Sequence, residues 1–430
     1  MLKRFPPKAA GPAELQDFQL AGLQWTVGHA FENSPFYRER LLAAGMTPDV
    51  IRSLDDLRRL PFTTADDIAA GYPFALRSAP FSDIVRIHAS SGTTGKRKIL
   101  CYTQKDLDDW QAMFARCYEL AGLSREDRVQ VAVGYGLWTA GVGFQQACEK
   151  FGALAIPVGP GNLEMQITFL QDLQATVFCC TASMGLLLAE EVNRRGLKDS
   201  LNLKKIIMGA ERSSDAMRTT MRDFLGVEEI YDITGLTEVY GPGTGLSCRC
   251  NTGVHYWPDY YILEILDPET LEPVAPGEVG EMVYTTLGKE GAPFIRYRSR
   301  DLTRFLEGEC PCGCWLPRHD RILGRSDDVV IFRGVNIYPG QIDEVLNRVK
   351  GIGSEYQVIL DHGDDGRDYM LIRVERAPNG DAVPDEQVTK KIISGIKHTL
   401  LVSCSVEMLD YGTLPRSERK TKRVFDNRKF

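Results

Sequence analysis

Short apolar runs alternate with amphipathic segments over a long central stretch, from about residue 107 to residue 233. The apolar runs have the length of strands, and Ser183–Arg194 and Asp215–Leu225 between them show helical periodicity. Such alternation predicts a mostly parallel sheet covered by helices, because parallel neighbours need a crossover connection. The predicted strands are Val129–Val133, Ala153–Pro157, Thr176–Cys180, Lys205–Met208 and Glu229–Ile233.

The pattern changes twice further along the chain. Strand-like runs separated by turns predict a β-rich, partly antiparallel unit at Tyr261–Leu266, Val279–Thr285 and Leu302–Phe305. A polar segment, residues 324–328, then precedes a smaller α+β module. We therefore predict an α/β protein with a large N-terminal domain, residues 1–325, and a small C-terminal domain, residues 326–430.

Composition excludes several classes of protein. Of the 430 residues, 25% are charged and 43% are hydrophobic, which is typical of a globular protein with a sizeable core. The net charge of −7 disfavours bulk attraction to nucleic acid or to an anionic membrane. Neither a membrane-spanning apolar run nor the apolar core of a signal peptide is found in the sequence. We expect a cytoplasmic protein without nucleic-acid or membrane partners.

The segment Ser90–Lys98 is rich in glycine, hydroxyl side chains and lysine, and it follows the apolar-containing run Ile84–Ile87. Glycine lets backbone N–H groups turn toward an anion, while hydroxyls and lysine add donors and charge, so the segment predicts a polyphosphate loop. It differs from the common P-loop, which needs Gly at position 90 and Ser or Thr at position 97. A solvated turn is the alternative. The candidate residues are Ser90, Ser91, Gly92, Thr93, Thr94, Gly95 and Lys98.

Two polar segments directly follow predicted strands, where an open parallel sheet presents its ligands. Gly209-Ala210-Glu211 follows one strand, and Thr237-Glu238 lies just beyond the next. Glu238 beside Thr237 suits Mg²⁺ and phosphate, although a lone Glu after a strand is often a helix cap or a solvated charge. Asp301 follows three arginines, so it predicts either a ribose-binding carboxylate or a surface ion pair.

The eleven cysteines do not suggest a disulfide framework, since their number is odd and their positions are scattered. Five of them are clustered with a histidine, and this combination favours zinc in an intracellular protein. Surface thiols on two β-turns are the alternative. The clustered residues are Cys248, Cys250, His255, Cys310, Cys312 and Cys314.

Taken together and in this order, these segments resemble the adenylate-forming superfamily, and most closely the phenylacetate–CoA ligase family. The resemblance covers essentially the whole chain. Its further motifs are Ser34–Tyr37, Tyr135–Trp138, Gly161-Asn162, residues 324–328, Arg333–Pro339 and Leu414–Ser417.

The resemblance implies a role for each matching residue. Ser90–Lys98 would close over the β- and γ-phosphates of ATP, and Gly209, Ala210 and Glu211 would bind adenine. Thr237 would contact the α-phosphate and Glu238 would hold Mg²⁺. The remaining implied roles are ribose binding by Asp301 and Arg325, the hinge at Asp327, and orientation of the carboxylate and α-phosphate by Lys420.

The resemblance also places the acyl pocket and the zinc ligands. The pocket residues are Tyr135, Gly136, Trp138, Ala140 and Gly141. The four implied ligands of a structural zinc site are Cys250, His255, Cys310 and Cys312, with Cys248 and Cys314 as substitutes. Three residues depart from the family pattern: Arg97 stands where the family usually has Pro, Arg419 where it has Gly, and Thr234 where it commonly has an aromatic residue.

The implied activity is that of an ATP-dependent, AMP-forming aryl-acid:CoA ligase with a small carboxylic acid as substrate. Its cofactors and co-substrates would be ATP, Mg²⁺ and coenzyme A, with a structural Zn²⁺, and a homodimer is common in the family. An enzyme that loads a carrier protein, a zinc-ribbon module that binds nucleic acid and a non-catalytic nucleotide binder are the alternatives.

Overall fold

The structure is a computed structural model. It describes residues 2–90, 97–137, 139–328, 330–333, 335–362, 368–377, 383–415 and 423–428, with only the backbone of Ile331 and Asn336. The candidate residues that lie outside these ranges are Ser91, Gly92, Thr93, Thr94, Gly95, Trp138 and Lys420.

The two helices predicted in the central region are confirmed, with bounds that agree to within one residue. Helix α7 begins after Thr181, whose Oγ1 accepts a hydrogen bond from the Met184 N–H, and it ends at Gly196 in the left-handed conformation (φ 66°). The α-helices of the described ranges are α1 (Pro12–Asn33), α2 (Pro35–Ala43), α3 (Ala65–Ala70), α4 (Gln104–Leu120), α5 (Ala140–Phe151), α6 (Leu163–Asp172), α7 (Ala182–Arg195), α8 (Asp215–Leu225), α9 (Pro339–Asn347) and α10 (Asp385–Leu400).

The largest sheet in the described part of the chain has the strand order β13-β14-β9-β8-β7-β6-β5-β3-β4. Its β4-β3-β5-β6-β7 half is parallel, as predicted, and its other half is antiparallel. The carboxyl ends of β5, β6 and β7 therefore open on one edge of the sheet. The strands are β3 (Arg128–Val131), β4 (Leu154–Ile156), β5 (Val177–Thr181), β6 (Lys205–Gly209), β7 (Glu229–Leu236), β8 (Gly241–Ser247), β9 (Val254–Tyr256), β13 (Phe305–Leu306) and β14 (Arg318–His319).

The predicted β-rich unit is confirmed as an antiparallel sheet of order β10-β11-β12-β15. Asp301 lies within β12, two residues before the end of this strand. A hairpin, β1–β2, lies on the amino-terminal side of α4 and brackets the glycine-rich segment. The strands are β1 (Ile84–Ala89), β2 (Ile99–Thr103), β10 (Tyr261–Leu266), β11 (Gly280–Thr286), β12 (Tyr297–Thr303) and β15 (Gly324–Arg325).

The C-terminal part has its own sheet and its own core. The sheet has the order β20-β19-β18-β21, and α9 and α10 complete an α+β unit. A separate hydrophobic cluster that includes Phe332, Ile372 and Ile392 stabilises it. None of the described helices combines the length and the apolar character needed to cross a membrane. The strands are β16 (Val330–Phe332), β17 (Val335–Ile337), β18 (Ile352–His362), β19 (Asp368–Arg376), β20 (Ser405–Leu409) and β21 (Val424–Asp426).

Candidate active site and cysteine cluster

The two ends of the glycine-rich segment are held together by the β1–β2 hairpin. The Ser90 N–H donates to the Lys98 carbonyl at 3.1 Å, and the Lys98 N–H donates to the Ser90 Oγ at 3.3 Å. The segment thus projects from the tip of a hairpin, with its last lysine at the base. Ser90 and Lys98 are the two candidate residues of the segment that the structure describes.

Lys98 reaches across to the polar segment that follows the fifth parallel strand. Its Nζ lies 2.7 Å from Glu238 Oε1, and the Tyr297 hydroxyl donates to the same oxygen at 2.9 Å. Burial would raise the pKa of Glu238, but the Lys98 ammonium outweighs burial and holds that pKa below its ordinary value. Glu238 is therefore an ionised carboxylate with a cationic partner at the base of the loop.

The backbone of Thr237 and Glu238 is fixed from behind by side chains. The Thr237 carbonyl accepts from the Tyr102 hydroxyl at 2.9 Å, and the Glu238 carbonyl accepts from the Lys289 Nζ at 3.1 Å. Thr237 is 8% exposed and Glu238 is 6% exposed. Because buried carbonyl groups need partners, these two bonds determine how the segment is oriented toward the loop.

The segment Gly209-Ala210-Glu211 ends β6 at the same edge of the parallel sheet. A Cβ atom on Gly209 would lie 2.6 Å from the carbonyl oxygen of Ile233, so only glycine fits between the two strands. Glu211 Oε1 accepts from the Ser183 N–H at 2.6 Å, at the first turn of α7. The helix-capping alternative is thus present in the structure for Glu211.

Arg325 contacts both Asp301 and Asp327, the residues for which the resemblance implies ribose and hinge roles. The Arg325 guanidinium lies 3.3 Å from Asp301 Oδ1, and it donates two bonds of 2.9 Å to the Asp327 carboxylate. Asp301 and Arg325 face each other across β12 and β15. Since Tyr297 begins the same β12 strand, this strand joins the Asp301 group to the Glu238 group.

The implied acyl-pocket residues that the structure describes lie in the turn before α5 and at the start of that helix. The Gly141 N–H donates to the Gly134 carbonyl at 2.7 Å, and a Cβ atom on Gly141 would lie 2.5 Å from the Tyr135 ring. The Ala89 N–H donates to the Leu137 carbonyl at 2.9 Å, which ties this turn to the strand that precedes Ser90. Gly136 lies in the turn, and Ala140 begins the helix.

A buried cysteine–histidine cluster lies at the antiparallel end of the largest sheet. The Cys248 and Cys310 sulfurs are 3.5 Å apart, and the Cys312 sulfur is 3.3 Å from His255 Nε2. The four candidate ligand atoms all lie within 4.8 Å of one another. His255 Nδ1 contacts the Leu316 carbonyl at 2.8 Å, which leaves Nε2 facing the sulfurs. This donor set fits a tetrahedral Zn²⁺ ion, whose sulfur ligands lie about 3.8 Å apart.

The cluster corrects one of the implied ligands, because Cys248 takes the place of Cys250. Strand β8 ends at Ser247, and the chain then turns, with the Asn251 N–H donating to the Cys248 carbonyl. Side chains two residues apart share a face only while a strand continues, so Cys248 is buried and Cys250 is half-buried. Both Cys310 and Cys312 belong to the cluster as implied, and Cys314 does not.

Three residues that touch the site have no place in the sequence interpretation: Tyr102, Lys289 and Tyr297. Each lies far from Thr237 and Glu238 along the chain, and each contacts one of these two residues only through the packing of separate elements. No local sequence signal identifies them, and Lys289 in particular lies in an ordinary polar loop between Gly288 and Gly291.

Comparison with known sequences and solved structures matches both the large and the small part of the chain. The sequence pattern of the AMP-binding enzyme family matches residues 44–288, and that of the AMP-binding enzyme C-terminal domain matches residues 334–428. The chain is similar to solved structures of 2-hydroxyisobutyryl-CoA ligase, at 28% identity. In the postadenylation state with 2-HIB-AMP the TM-score is 0.88, covering 99% of this chain and 92% of that one. For the same enzyme in the thioesterification state with 2-HIB-AMP and CoA, the TM-score is 0.70, and the match covers 98% of this chain and 91% of that one.

Curated relatives match over nearly the whole length. The phenylacetate-coenzyme A ligase of Escherichia coli K12 is 41% identical over 98% of this chain and 97% of its own. The phenylacetate-coenzyme A ligase of Pseudomonas putida is 37% identical over 98% of this chain and 96% of its own. The similarity extends through both sheets, the hairpin and the C-terminal unit, and so the chain belongs to the phenylacetate–CoA ligase family of AMP-binding enzymes.

Proposed function

We propose that this protein is an ATP-dependent ligase that activates an aryl or arylacetic acid as acyl-AMP and transfers the acyl group to coenzyme A. The observation that carries the proposal is the Lys98–Glu238–Tyr297 contact at the base of the glycine-rich segment. It joins a cation, a carboxylate and a hydroxyl where the phosphates of ATP would lie. The names of the relatives support phenylacetate or a related acid as the substrate.

The chemistry follows from the weakness of a carboxylate as an acyl donor. A carboxylate oxygen attacks the α-phosphorus of ATP, the bond to the β-phosphate oxygen breaks, and pyrophosphate leaves. The thiol of coenzyme A then loses its proton and attacks the acyl carbon, and AMP leaves. Thr237 would contact the α-phosphate and Lys420 would orient the carboxylate against it, because aimed donors stabilise the charge that develops.

Two metal ions belong to the proposal. Glu238 would hold Mg²⁺, since its carboxylate is ionised and lies beside a hydroxyl residue at the phosphate end of the site. When bound, this ion supplies positive charge to the phosphate oxygens. Cys248, His255, Cys310 and Cys312 would hold a structural Zn²⁺ that ties β8 and β9 to the loop before β14. Burial would raise the pKa of Cys310, but hydrogen bonds, chiefly from Thr252, lower it to about 7, which favours the thiolate.

We propose that the domains divide at residues 325/326 and that Asp327 is the hinge. The domain arrangement of this protein has its higher similarity to the postadenylation state of the related ligase, with a TM-score of 0.88 against 0.70. This supports an arrangement suited to adenylation. The second half-reaction would then require the C-terminal domain to rotate.

The remaining assignments concern cellular location, oligomeric state and the acceptor of the acyl group. All eleven cysteine thiols are free, which supports a reducing, cytoplasmic location. A homodimer stays a prediction from the family resemblance. The competing function is transfer of the acyl group to a carrier protein, which shares the first half-reaction.

A panel of acids incubated with ATP and Mg²⁺ tests the proposal, with AMP release scored in the presence and absence of coenzyme A. We expect AMP release with phenylacetate-like acids that depends on coenzyme A and yields the thioester. Pyrophosphate exchange without thioester formation would favour the carrier-protein alternative. Absence of both reactions across the panel would contradict the proposal.

A further inference from the structure

Lys289 is a fully buried lysine directly behind the candidate phosphate site. Its exposed fraction is 0%, and its Nζ donates to the Glu238 carbonyl at 3.1 Å. The ammonium also lies 4.5 Å from the Tyr102 ring centroid, 5.3 Å from that of Tyr240 and 5.2 Å from that of Phe294. Three ring faces and one carbonyl group therefore surround a cation that water does not reach.

A buried charge is costly unless it is paired or held in place for a purpose. Within the described ranges no carboxylate lies within ion-pair distance of Lys289, and its charge is stabilised by the nearby Asp106 and Glu238 carboxylates and by the ring faces. The nearby Asp106 carboxylate is instead occupied by backbone donors, the N–H groups of Glu290 and Gly291. Asp106 thus fixes the loop that carries Lys289 and favours its charge from nearby, while the hydrogen bond of the ammonium goes to the Glu238 carbonyl.

The contact determines where the Glu238 carboxylate lies. The carbonyl of Glu238 accepts from Lys289, while its side chain contacts Lys98 and Tyr297. Without Lys289 this buried carbonyl would lack the partner that now holds it, and the segment would have to rotate to find another. Rotation would move the carboxylate away from the position where it would hold Mg²⁺.

We propose that Lys289 is a positioning residue of the adenylation half-reaction, which aims the Glu238 carboxylate by holding its backbone carbonyl from the core. The inference rests on the proposed function. It predicts a selective effect, because acyl-AMP formation requires Mg²⁺ at the triphosphate, whereas attack of the thiol on preformed acyl-AMP involves neither pyrophosphate nor its metal ion.

The test compares Lys289→Met and Lys289→Gln with the unmodified protein. Methionine preserves volume and contact with the rings but has neither charge nor donor, while glutamine keeps a donor without charge. The matched control is Lys105→Met. Lys105 donates to the Gly288 carbonyl of the same loop at 2.6 Å, but its side chain is 48% exposed and does not touch Glu238.

Three quantities are measured for each protein: pyrophosphate exchange, its dependence on Mg²⁺ concentration, and thioester formation from supplied acyl-AMP and coenzyme A. For Lys289→Met we expect pyrophosphate exchange to fall by about 100-fold, the scale of an ångström-sized misplacement. Half-saturation should move to higher Mg²⁺, and thioester formation should stay within about twofold of the unmodified protein. Lys289→Gln should recover part of the exchange rate, and the control should match the unmodified protein.

Each outcome decides the matter. Unchanged exchange and Mg²⁺ dependence in Lys289→Met would overturn the inference, and so would an equal loss of both half-reactions, which indicates a purely structural role. Failure of both variants to fold, judged by circular dichroism and thermal unfolding, would also overturn the inference, because it indicates a purely structural role. If the unmodified protein itself shows no exchange with any acid, the proposed function fails, and that result is distinct from a failure of Lys289.

Discussion

The Lys98 ammonium and the Glu238 carboxylate lie 2.7 Å apart, although 140 positions of sequence separate them. Lys98 is the last residue of the glycine-rich segment, and Glu238 lies just after β7, the fifth parallel strand. Their contact places the base of the loop beside the candidate Mg²⁺ ligand. Phosphate and metal ion would each take over one partner of an existing ion pair.

Replacing Lys98 with methionine should make stability depend on pH in a defined direction. The pKa of Glu238 is below its ordinary value of 4.5 in the folded protein, so the pair stabilises the fold fully above pH 4.5. This contribution is lost as the pH falls through the folded-state pKa. We expect Lys98→Met to be less stable at pH 7 by about 2 kcal/mol, with the difference shrinking in acid.

Urea unfolding of both proteins between pH 3 and pH 8 measures this effect. Lys105→Met serves as the control, because Lys105 pairs with Asp109 at the surface and is 48% exposed. A stability difference that stays constant over the whole range would show that Lys98 acts through packing and not through its charge.

The sequence motifs are local, and what they predict best is local too. Ser90 and Lys98, or Thr237 and Glu238, are each recognisable within a few residues, and the alternating pattern correctly predicts the parallel strands that carry them. Tyr297 and Lys289 could not be assigned in this way. Their contacts depend on how two sheets pack, and neither residue lies in a motif whose spacing reports that packing.

The cysteine cluster illustrates a different limit. Sequence spacing alone does not distinguish Cys248 from Cys250 as a ligand, because the two cysteines flank Arg249 and would lie on the same face of a strand. The choice between them depends on where β8 ends, and strand ends are among the least certain features of a sequence interpretation.

Serine substitutions should distinguish the zinc ligands. Cys248→Ser removes a buried sulfur from the cluster, so we expect the zinc content to fall below about a tenth of an equivalent and the melting temperature to fall by several degrees. Cys250→Ser should keep both values of the unmodified protein. Elemental analysis and thermal unfolding of the purified proteins measure the two effects. Loss of zinc in Cys250→Ser but not in Cys248→Ser would contradict the observed geometry.

Gly141→Ala should weaken binding of the acid substrate but not binding of ATP. The added Cβ would lie 2.5 Å from the Tyr135 ring and 2.8 Å from the Gly134 carbonyl, so the ring must move. We expect the KM for phenylacetate to rise by at least about tenfold, while the KM for ATP stays within about twofold. Gly28→Ala is the control, since nothing lies within 4 Å of its added Cβ. Equal changes in both KM values would argue against an acyl pocket at this turn.

Lys420→Ala should lower adenylation by about 100-fold or more, by loss of an aimed positive charge. Pyrophosphate exchange at saturating acid and ATP is the measurement. The control is Lys391→Ala, because Lys391 is an exposed lysine of α10 in the same C-terminal unit. A near-normal exchange rate in Lys420→Ala would refute the role that the family resemblance implies for this lysine.

Contacts between the large and small units should set the balance between the two half-reactions. The Tyr411 hydroxyl donates to Glu190 Oε1 of α7 at 2.6 Å, and Arg212 pairs with Asp343 of α9 at 2.9 Å. These bonds exist in the arrangement that we propose for adenylation, so Tyr411→Phe should shift the population away from it by about tenfold. Adenylation should slow by up to that factor.

Thioester formation from supplied acyl-AMP should not slow in Tyr411→Phe, and it should rise if domain rotation limits that step. The control Tyr369→Phe changes a tyrosine that is 40% exposed on β19. Rapid-quench measurement of each half-reaction separates the two effects. A parallel decrease in both rates would contradict the prediction, because losing a bond that favours the adenylation arrangement should not slow the other half-reaction.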